Sequence, residues 1–455
     1  MMLDLTTKEI KKRSALRVNP LKTCQPVGAM YAALGVHRCM PHSHGSQGCC
    51  SFHRMYLTRH FKEPAIASSS SFTEGASVFG GGSNIKTSVK NIFDIYNPDI
   101  IAVHTTCLSE TIGDDLNSYI HDMVIPTGKI VVHASTPSYV GSHITGYGNM
   151  VSGFIKYLAK KSGVSNGKLA ILPGFVNPGD MREMKMILSL MDADFIMLPD
   201  TSGVLDAPMT GAYEMYPSGG TKISDIVSIG DCKLTLAIGE LAMENAGNEL
   251  KRKCGVMYKT LPLPIGIEAT DAFIMAISES TQSNVAHELE EQRGQLVDIM
   301  LDSHPYFSNK SVAIYGDPDS VLGLSTLCLE LGMIPKYMLT GTTGEAFNTK
   351  AQELLAKFGI EDCVAKSSSD LFELHQLIKT NSVDLMIGGT HGKFIARAED
   401  IPLVRAGFPI IDRYVHSYMP LIGYKGAMRL IELMLNALMD RQDRDCEDED
   451  MEMVM

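Results

Sequence analysis

The sequence lacks any excess of positive charge. Its 455 residues include 40 Lys and Arg against 52 Asp and Glu, which gives a formal net charge of −12. Binding to a nucleic acid or to an anionic membrane surface needs clustered positive charge, so neither kind of partner is predicted. Part of the negative charge lies in residues 443–450, which we expect to form a solvated acidic tail.

Long hydrophobic runs are also missing. No apolar stretch approaches the roughly 18 residues that a membrane span requires, and the amino terminus carries no hydrophobic signal segment. We therefore expect a cytoplasmic protein. Hydrophobic residues make up 45% of the chain and charged residues 20%, which is typical of a globular protein, and the length predicts two to four domains.

Three familiar sequence fingerprints are absent. No G-x-G-x-x-G motif accompanies a predicted strand, so a nicotinamide enzyme is not indicated. The glycines at 80–82 resemble a phosphate loop, but Ile85 stands where that motif needs a glycine before Lys86. No Cys-x-x-Cys pair occurs either, which weakens the case for a zinc ribbon or a redox dithiol.

The hydrophobic pattern predicts an α/β fold. Short apolar runs typical of buried parallel strands alternate with helical patterns, and the runs lie at 99–103, 129–133, 169–174, 195–198, 311–316 and 384–388. Predicted helices lie at 29–35, 52–61, 109–120, 181–191, 320–331 and 427–439. We divide the chain into residues 1–160, which carry the candidate ligands, a second unit at 161–305, and a third at 306–455 that ends in a helix and the acidic tail.

Ten cysteines are too few for a disulfide scaffold and too many to ignore. Cys328 lies in an apolar helical run and is interpreted as core packing, whereas Cys446 in the acidic tail is interpreted as an inert exposed thiol. Cys24, Cys49 and Cys107 each stand beside a turn or a strand end. These three are therefore the candidates for metal ligands.

The stretch around Cys49 is the most informative. It reads HSHGSQGCC from His42 to Cys50, and a thiolate after a glycine turn is a common way to present an iron–sulfur ligand. Gly45 and Gly48 tolerate positive φ, and such turns can form an anion-binding nest of backbone N–H groups. The simpler interpretation is a surface turn followed by two small buried cysteines.

The other candidates follow from strand ends. Pro26 keeps the residue before it away from helical geometry, so Cys24 is expected on an extended segment. Cys107 and Ser138 each follow a predicted parallel strand, and ligands of open α/β sheets bind beyond the carboxyl ends of the strands. The two residues are therefore expected at one edge of one sheet.

A zinc-stabilised binding protein is a competing hypothesis. Cys39, His42, His44 and Cys49 have ligand types and short spacings that suit zinc. This hypothesis leaves Cys24, Cys107 and Ser138 without a role. Metal analysis that found zinc and no iron would support it.

Several motifs in one order carry a resemblance to a known family. The chain resembles the β chains of molybdenum–iron nitrogenases, and its short amino-terminal arm is most similar to the clostridial type. The matching motifs are TCQP (23–26), HGSQGC (44–49), TTC (105–107), GDD (113–115), TPS (136–138), GSH (141–143), FP (408–409), DR (412–413) and GYKGA (423–427).

The resemblance implies three Rossmann-like α/β domains, with parallel sheets flanked by helices, in a cytoplasmic α2β2 heterotetramer. It implies an eight-iron, seven-sulfur P-cluster shared with the α chain, with Cys24, Cys49 and Cys107 as thiolate ligands. Ser138 would bind one iron through its alkoxide in the oxidised cluster only, and its simpler role is to cap the next turn. The iron–molybdenum cofactor would lie in the α chain only.

The implied activity is that of nitrogenase, which reduces dinitrogen to ammonia with electrons from an ATP-hydrolysing iron protein dimer that docks transiently with MgATP. Phe79 matches an aromatic residue at the docking surface. Glu63, Asp298 and Asp302 match carboxylates that bind a mononuclear cation, iron or calcium, between two β chains; without the resemblance, Asp298 and Asp302 would be a solvated helix face. Phe52 replaces a tyrosine found in many family members, which removes a polar group near the cluster.

Related chains supply the alternatives. An assembly scaffold, an alternative-metal nitrogenase β chain and a protochlorophyllide-reductase subunit share much of the pattern. Scaffold chains tend to lose part of the ligand set, so three cysteines together with Ser138 favour the catalytic component. The residues GSQG before Cys49 and CLSE from Cys107 favour the molybdenum type.

Overall fold

The computed structural model describes residues 5–10, 13, 17–448 and 451. Residues 449 and 450 of the predicted acidic tail lie outside the described residues, as do parts of the amino-terminal arm. No helix in the described part of the chain is long and apolar enough to cross a membrane.

The first of three sheets has four parallel strands: β1 (Cys39–His44), β2 (Ser68–Ser69), β3 (Ile100–Thr105) and β4 (Ile130–Ala134). Their order across the sheet is β2-β1-β3-β4. The helices of this part are α1 (Gln25–Leu34), α2 (Gln47–Phe61), α3 (Glu74–Phe79), α4 (Gly82–Tyr96), α5 (Cys107–Ile112), α6 (Leu116–His121) and α7 (His143–Leu158). Strands β1 and β3 are buried along their whole length, as expected for strands covered on both faces.

The second sheet is also parallel and has the order β6-β5-β7-β8. Its strands are β5 (Leu169–Leu172), β6 (Phe195–Met197), β7 (Leu234–Ile238) and β8 (Tyr258–Leu261). Its helices are α8 (Pro178–Leu190), α9 (Ile223–Ser228), α10 (Glu240–Cys254), α11 (Gly266–Thr281) and α12 (His287–Phe307), with a 3-10 turn at Ile229–Asp231.

The third sheet has five parallel strands in the order β11-β10-β9-β12-β13. They are β9 (Ser311–Gly316), β10 (Ile334–Thr340), β11 (Val364–Lys366), β12 (Leu385–Gly388) and β13 (Leu403–Arg405). The helices are α13 (Pro318–Glu330), α14 (Glu345–Lys357), α15 (Leu371–Thr380), α16 (Lys393–Ala398) and α17 (Gly423–Asp445), with a 3-10 turn at Thr390–Gly392. Three parallel sheets flanked by helices confirm the predicted fold class.

One helix prediction is wrong, and one strand was not predicted. The helix predicted over 109–120 is two helices, α5 and α6, because Gly113 ends the first one in the left-handed region with a φ of 77°. Residues 39–44, for which no strand was predicted, form the inner strand β1. Its His and Ser side chains concealed the strand, because the sequence pattern is not apolar although every residue is buried.

A hydrogen-bonded contact between two helix N-termini joins the second and third sheet units. The Asp319 carboxylate, in the first turn of α13, accepts hydrogen bonds from the backbone N–H groups of Leu241 and Ala242 at 3.0 Å each. It thereby caps α10 from a neighbouring unit of the fold. Hydrophobic packing is continuous across the same junction, from Ile171 of β5 to Ile314 of β9.

The amino-terminal arm lies against the third sheet unit. Arg13 forms a two-pronged ion pair with the buried Asp370 at 2.8 and 2.9 Å, and the N–H of Val18 donates to the same carboxylate. The N–H of Leu371 donates to the carbonyl of Asn19. The segment that leads into Cys24 is therefore fixed by contacts with residues at least 352 positions further along the chain.

A buried carboxyl group where α8 faces the start of α17 gives a pH prediction. Glu183 is 8% exposed, its Oε1 atom has no hydrogen-bond partner, and burial raises its pKa to about 7. A raised pKa stabilises the fold at low pH, so this contribution is lost as pH rises through about 7. We expect Glu183→Gln to stabilise the protein by roughly 2 kcal/mol at pH 8 and to leave it unchanged near pH 4, below the ordinary glutamate pKa of 4.5.

Thermal unfolding followed by circular dichroism at both pH values measures this difference. The exposed Glu290 on α12, changed to Gln, is the matched control and should show no such pH dependence. Equal melting temperatures for Glu183→Gln and the unmodified protein at pH 8 would contradict the prediction.

Candidate functional site

The candidate site lies at the carboxyl edge of the first sheet. Strand β1 ends at His44 and leads through a short turn into α2, whose first turn holds Cys49. Strand β3 ends at Thr105, and Cys107 is the first residue of α5. Strand β4 ends at Ala134, and Ser138 follows in the next turn. These placements confirm the predicted shared edge.

Cys24 lies at the same site, but it precedes the strands of the first sheet in the sequence, whereas the other three residues each follow a strand. It is the extended N-cap residue of α1, with a φ of −74° and a ψ of 157°, as predicted from the proline that follows. Its Sγ lies 3.4 Å from Nε2 of His53 on α2. The thiol is thus held between the start of α1 and the middle of α2.

The effects of neighbouring side chains on the pKa values of Cys24 and Cys49 indicate that Cys24, Cys49, Cys107 and Ser138 lie close together. The pKa of the Cys24 thiol is raised to about 11, chiefly by burial; the nearby Cys49 and Cys107 contribute to the rise, and the nearby Ser138 opposes it. Burial also raises the pKa of Cys49, and the charge and hydrogen bonding of Cys107 act in the same direction. The three cysteines are half-buried, so each keeps some contact with solvent.

This donor set fits a sulfide-rich cluster better than a single ion. Among the described residues, no three His, Cys, Asp or Glu side chains are placed to hold one metal ion. The three thiols instead stand at the N-terminal ends of α1, α2 and α5, where unpaired backbone N–H groups favour negative charge. A positively charged metal centre would also lower the raised pKa values of Cys24 and Cys49.

A tight helix pair holds Cys24 beside Ser138. Helices α1 and α7 approach so closely that a Cβ on Gly28 would lie 1.7 Å from the carbonyl oxygen of His143. A Cβ on Gly146 would lie 1.9 Å from the carbonyl oxygen of Gln25. Glycine at both positions therefore permits the contact between the helices.

Hydrogen bonds join the same two segments. Lys22 Nζ donates to the carbonyl of Gly141 at 2.7 Å, and Gln25 Nε2 donates to the carbonyl of Val140 at 3.0 Å. The backbone N–H of His143 donates to the carbonyl of Thr23 at 3.0 Å. The residues that follow Ser138 in its loop are thus hydrogen-bonded to the residues around Cys24.

The zinc hypothesis is wrong for this structure. Cys39 is buried, and both ring nitrogens of His42 are hydrogen-bonded, to Ser68 at 2.9 Å and Ser70 at 2.8 Å. Both ring nitrogens of His44 are also hydrogen-bonded, to Ser70 and Asp114 at 2.9 Å each. The histidines are satisfied by oxygen partners and have no nitrogen left for a metal.

Of the two glycines in the turn, only Gly45 meets a steric requirement. Its φ is 156°, and a Cβ there would lie 1.9 Å from Oγ1 of Thr106. The strand end that leads to Cys49 therefore packs directly on the residue before Cys107. Gly48 lies in the first turn of α2 without a positive φ, and a Cβ there would have only an ordinary 3.7 Å contact, so the tolerance expected of this glycine is not used.

The predicted cation ligands lie apart from the thiols. Asp298 and Asp302 are exposed and stand four residues apart on one face of α12. Glu63 is half-buried just after α2, within range to raise the pKa of Tyr418 through its charge. Within one chain the three carboxylates do not form a closed metal site.

Phe79 is 90% exposed at the end of α3, immediately before three glycines. Phe52 is 42% exposed on α2, and its ring lies 5.0 Å from that of Tyr56. Cys328 is fully buried, as predicted for core packing.

Sequence reasoning missed two groups beside the site. His53 was not predicted to contact Cys24, although its position four residues after Cys49 on a helix places it near the same end of the sheet. Asp114 was noted only as part of a motif, yet its side chain is 2% exposed and pairs with His44 at 2.9 Å. The three glycines at 80–82, which pack on Asp114 and its neighbours, were the available signal.

Comparison with known proteins agrees with this fold and site. The family model for nitrogenase component 1 type oxidoreductases matches residues 24–439. The chain therefore belongs to the nitrogenase component 1 type oxidoreductases.

Individual relatives show which members of this family the chain is similar to. The chain is 59% identical to the nitrogenase molybdenum–iron protein β chain of Clostridium pasteurianum, over 100% of both chains. It is 41% identical to the β chain of the same name from Nostoc sp., covering 95% of this chain and 86% of that one. A solved structure titled "Nitrogenase Cp1 at pH 6.5" superimposes with a TM-score of 0.99 at 59% identity, over 100% of both chains. These similarities confirm the predicted clostridial-type nitrogenase β chain.

Proposed function

We propose that this chain is the electron-relaying β subunit of a molybdenum-dependent nitrogenase component 1. Its role would be to pass electrons from a docked iron protein dimer, through a P-cluster shared with an α chain, to an iron–molybdenum cofactor held by the α chain. The convergence of Cys24, Cys49, Cys107 and Ser138 at one half-exposed sheet edge supports this role most directly.

The open side of the site supports a shared cluster. Three thiols and one hydroxyl from one chain leave part of a large cluster's surface uncovered, so a second chain is needed to close it. When bound, the cluster would supply one-electron storage and release. This chain's residues would provide thiolate ligands, helix N-termini that favour negative charge, and a rigid α1–α7 frame.

The proposal is tested by anaerobic purification of this chain together with its α chain, followed by iron counting and electron paramagnetic resonance before and after dye oxidation. We expect iron at P-cluster levels and a signal that depends on oxidation. An ordinary four-iron signal would instead indicate the scaffold or reductase relatives. Zinc without iron would exclude the whole assignment.

Ser138 gives a separate test of the ligand set. We propose that its hydroxyl serves as an oxygen ligand in the oxidised cluster only, so Ser138→Ala should leave iron content and tetramer assembly unchanged. The variant should shift the spectrum and the midpoint potential of the oxidised cluster. Ser135→Ala, an exposed hydroxyl three residues earlier, is the matched control. Identical oxidised spectra for Ser138→Ala and the unmodified protein would remove Ser138 as a ligand.

Further parts of the proposal concern partners and location. We propose that Asp298, Asp302 and Glu63 bind a cation, iron or calcium, where two copies of this chain meet, and that Phe79 lies at the surface where the iron protein docks with MgATP. The exposure of Asp298, Asp302 and Phe79 supports both roles. Boundaries near residues 160 and 305 and a cytoplasmic location stay predictions.

A further inference from the structure

The exposed Phe79 is connected to the cysteine site by buried polar contacts. Phe79 is followed by Gly80, Gly81 and Gly82, and the backbone N–H of Gly81 donates to both oxygens of Asp114 at 3.0 and 3.2 Å. We refer to residues 79–82 as the Phe79 loop. Tyr119 also donates to Asp114, at 3.1 Å.

The three glycines allow this loop to lie flat on its support. A Cβ on Gly81 would lie 2.1 Å from Cζ of Phe72 and 2.7 Å from Oδ2 of Asp114. A Cβ on Gly82 would lie 2.9 Å from Cε1 of Tyr119. The glycine run is therefore explained by close packing rather than by phosphate binding.

Asp114 also contacts the buried His44. Its Oδ2 accepts a hydrogen bond from Nε2 of His44 at 2.9 Å, and the two side chains are 2% and 0% exposed. With Nε2 donating, Nδ1 of His44 accepts from Ser70, and Ser70 in turn accepts from Nε2 of His42. Phe72 reinforces the link, because its ring contacts that of His44 edge-on at 4.9 Å and also packs on the Phe79 loop.

His44 then contacts both cluster-holding segments. Its carbonyl oxygen accepts from Oγ of Ser109 at 2.8 Å and from the N–H and Oγ1 of Thr106, each at 3.2 Å. Thr106 and Ser109 flank Cys107 in sequence. His44 is also the last residue of β1, so the turn to Cys49 begins at the next residue.

We propose that the Asp114–His44 pair couples the Phe79 loop to the segments that hold Cys49 and Cys107, so that a partner bound at the loop alters the environment of the cluster. Asp114 and His44 are positioning residues in this scheme and contact neither the cluster nor the partner. The proposal rests on the proposed function, since it requires a cluster at the three cysteines and a docking partner at Phe79.

The contacts suit this role because they are short, buried and continuous. A buried, fully hydrogen-bonded network resists small distortions, so displacement at one end is passed on rather than absorbed by side-chain motion. Coupling of this kind is reciprocal, so the state of the cluster must also affect binding of the partner.

The test compares midpoint potentials of the cluster in the complete component, with and without the iron protein held in place by an ATP analogue that is not hydrolysed. In the unmodified protein we expect partner binding to shift the potential. In Asp114→Ala we expect full iron content and retained binding at saturating iron protein, with most of the shift lost. Tyr119→Phe is the matched control, because it removes another contact of Asp114 without touching His44.

Asp114→Asn covers the case in which the alanine variant fails to assemble. Asparagine replaces one carboxylate oxygen by an NH₂ group that cannot accept, and its remaining oxygen is uncharged and so a weaker acceptor for Gly81 and His44, so a reduced shift is expected. A shift of unchanged size in either assembled Asp114 variant, or the absence of any shift in the unmodified protein, would overturn the coupling. Iron counting on the unmodified component tests the proposed function independently.

Discussion

Replacing Cys107 with alanine should leave the shared cluster unassembled and the α and β chains unpaired. Cys107 begins α5 two residues after the end of β3, an inner strand of the first sheet. Its charge and hydrogen bonding reach Cys49, and its charge also reaches Cys24, which places it among the other ligands. Because a structural cluster contributes its binding energy to assembly, loss of one ligand should affect both together.

The measurement is iron content and subunit association after anaerobic co-purification with the α chain. We expect cluster iron at background level and separated chains on size-exclusion chromatography. Cys446→Ala, which removes a thiol at the end of α17, is the control and should behave as the unmodified protein. A stable tetramer with a full cluster in Cys107→Ala would rule out the ligand assignment.

Replacing Gly28 with alanine should force α1 and α7 apart. The added Cβ would lie 1.7 Å from the carbonyl oxygen of His143 and 2.8 Å from the backbone nitrogen of Tyr147, and backbone atoms cannot rotate away as a side chain would. We expect a loss of about 3 kcal/mol or more in stability, seen as a melting temperature lower by roughly 5–10 °C. Because α1 begins at Cys24 and α7 follows Ser138, the oxidised spectrum of the cluster should change as well.

Gly75→Ala is the matched control for this change. Gly75 is an exposed helical glycine in α3, and its nearest neighbour to an added Cβ is Oγ1 of Thr73 at 3.9 Å. Alanine there should be neutral or slightly stabilising. Circular dichroism melting of both variants decides the point, and equal melting temperatures would show that the α1–α7 contact can relax.

Much of the fold was predictable because buried parallel strands leave a clear signal. The apolar run at 311–316 matches β9 residue for residue, and 169–174 contains β5. Strand β1 was missed because several of its buried positions are filled by His and Ser, whose side chains form hydrogen bonds with residues outside the strand, such as Ser70 and His104. The spacing of apolar residues cannot reveal a strand whose buried side chains are polar.

The candidate site was predictable to a similar extent and for related reasons. Cys107 and Ser138 follow recognisable strands, so their common edge could be derived from topology alone. The roles of Gly28 and Asp114 could not, because each depends on a partner far away in sequence or on a close approach between backbones. Cys24 was predicted as a ligand from its motif, whereas its contact with His53 required the three-dimensional structure.

The ion pair between Arg13 and Asp370 affects when the amino-terminal arm becomes fixed during synthesis of the chain. The arm leaves the ribosome first, but its binding surface beside α15 is made several hundred residues later. Until then, the segment that leads into Cys24 has only its neighbours within the first sheet unit to hold it. Cys24, one of the proposed ligands, therefore gains its full support only after Asp370 has been made, which favours insertion of the proposed cluster after that point over insertion into a shorter nascent chain.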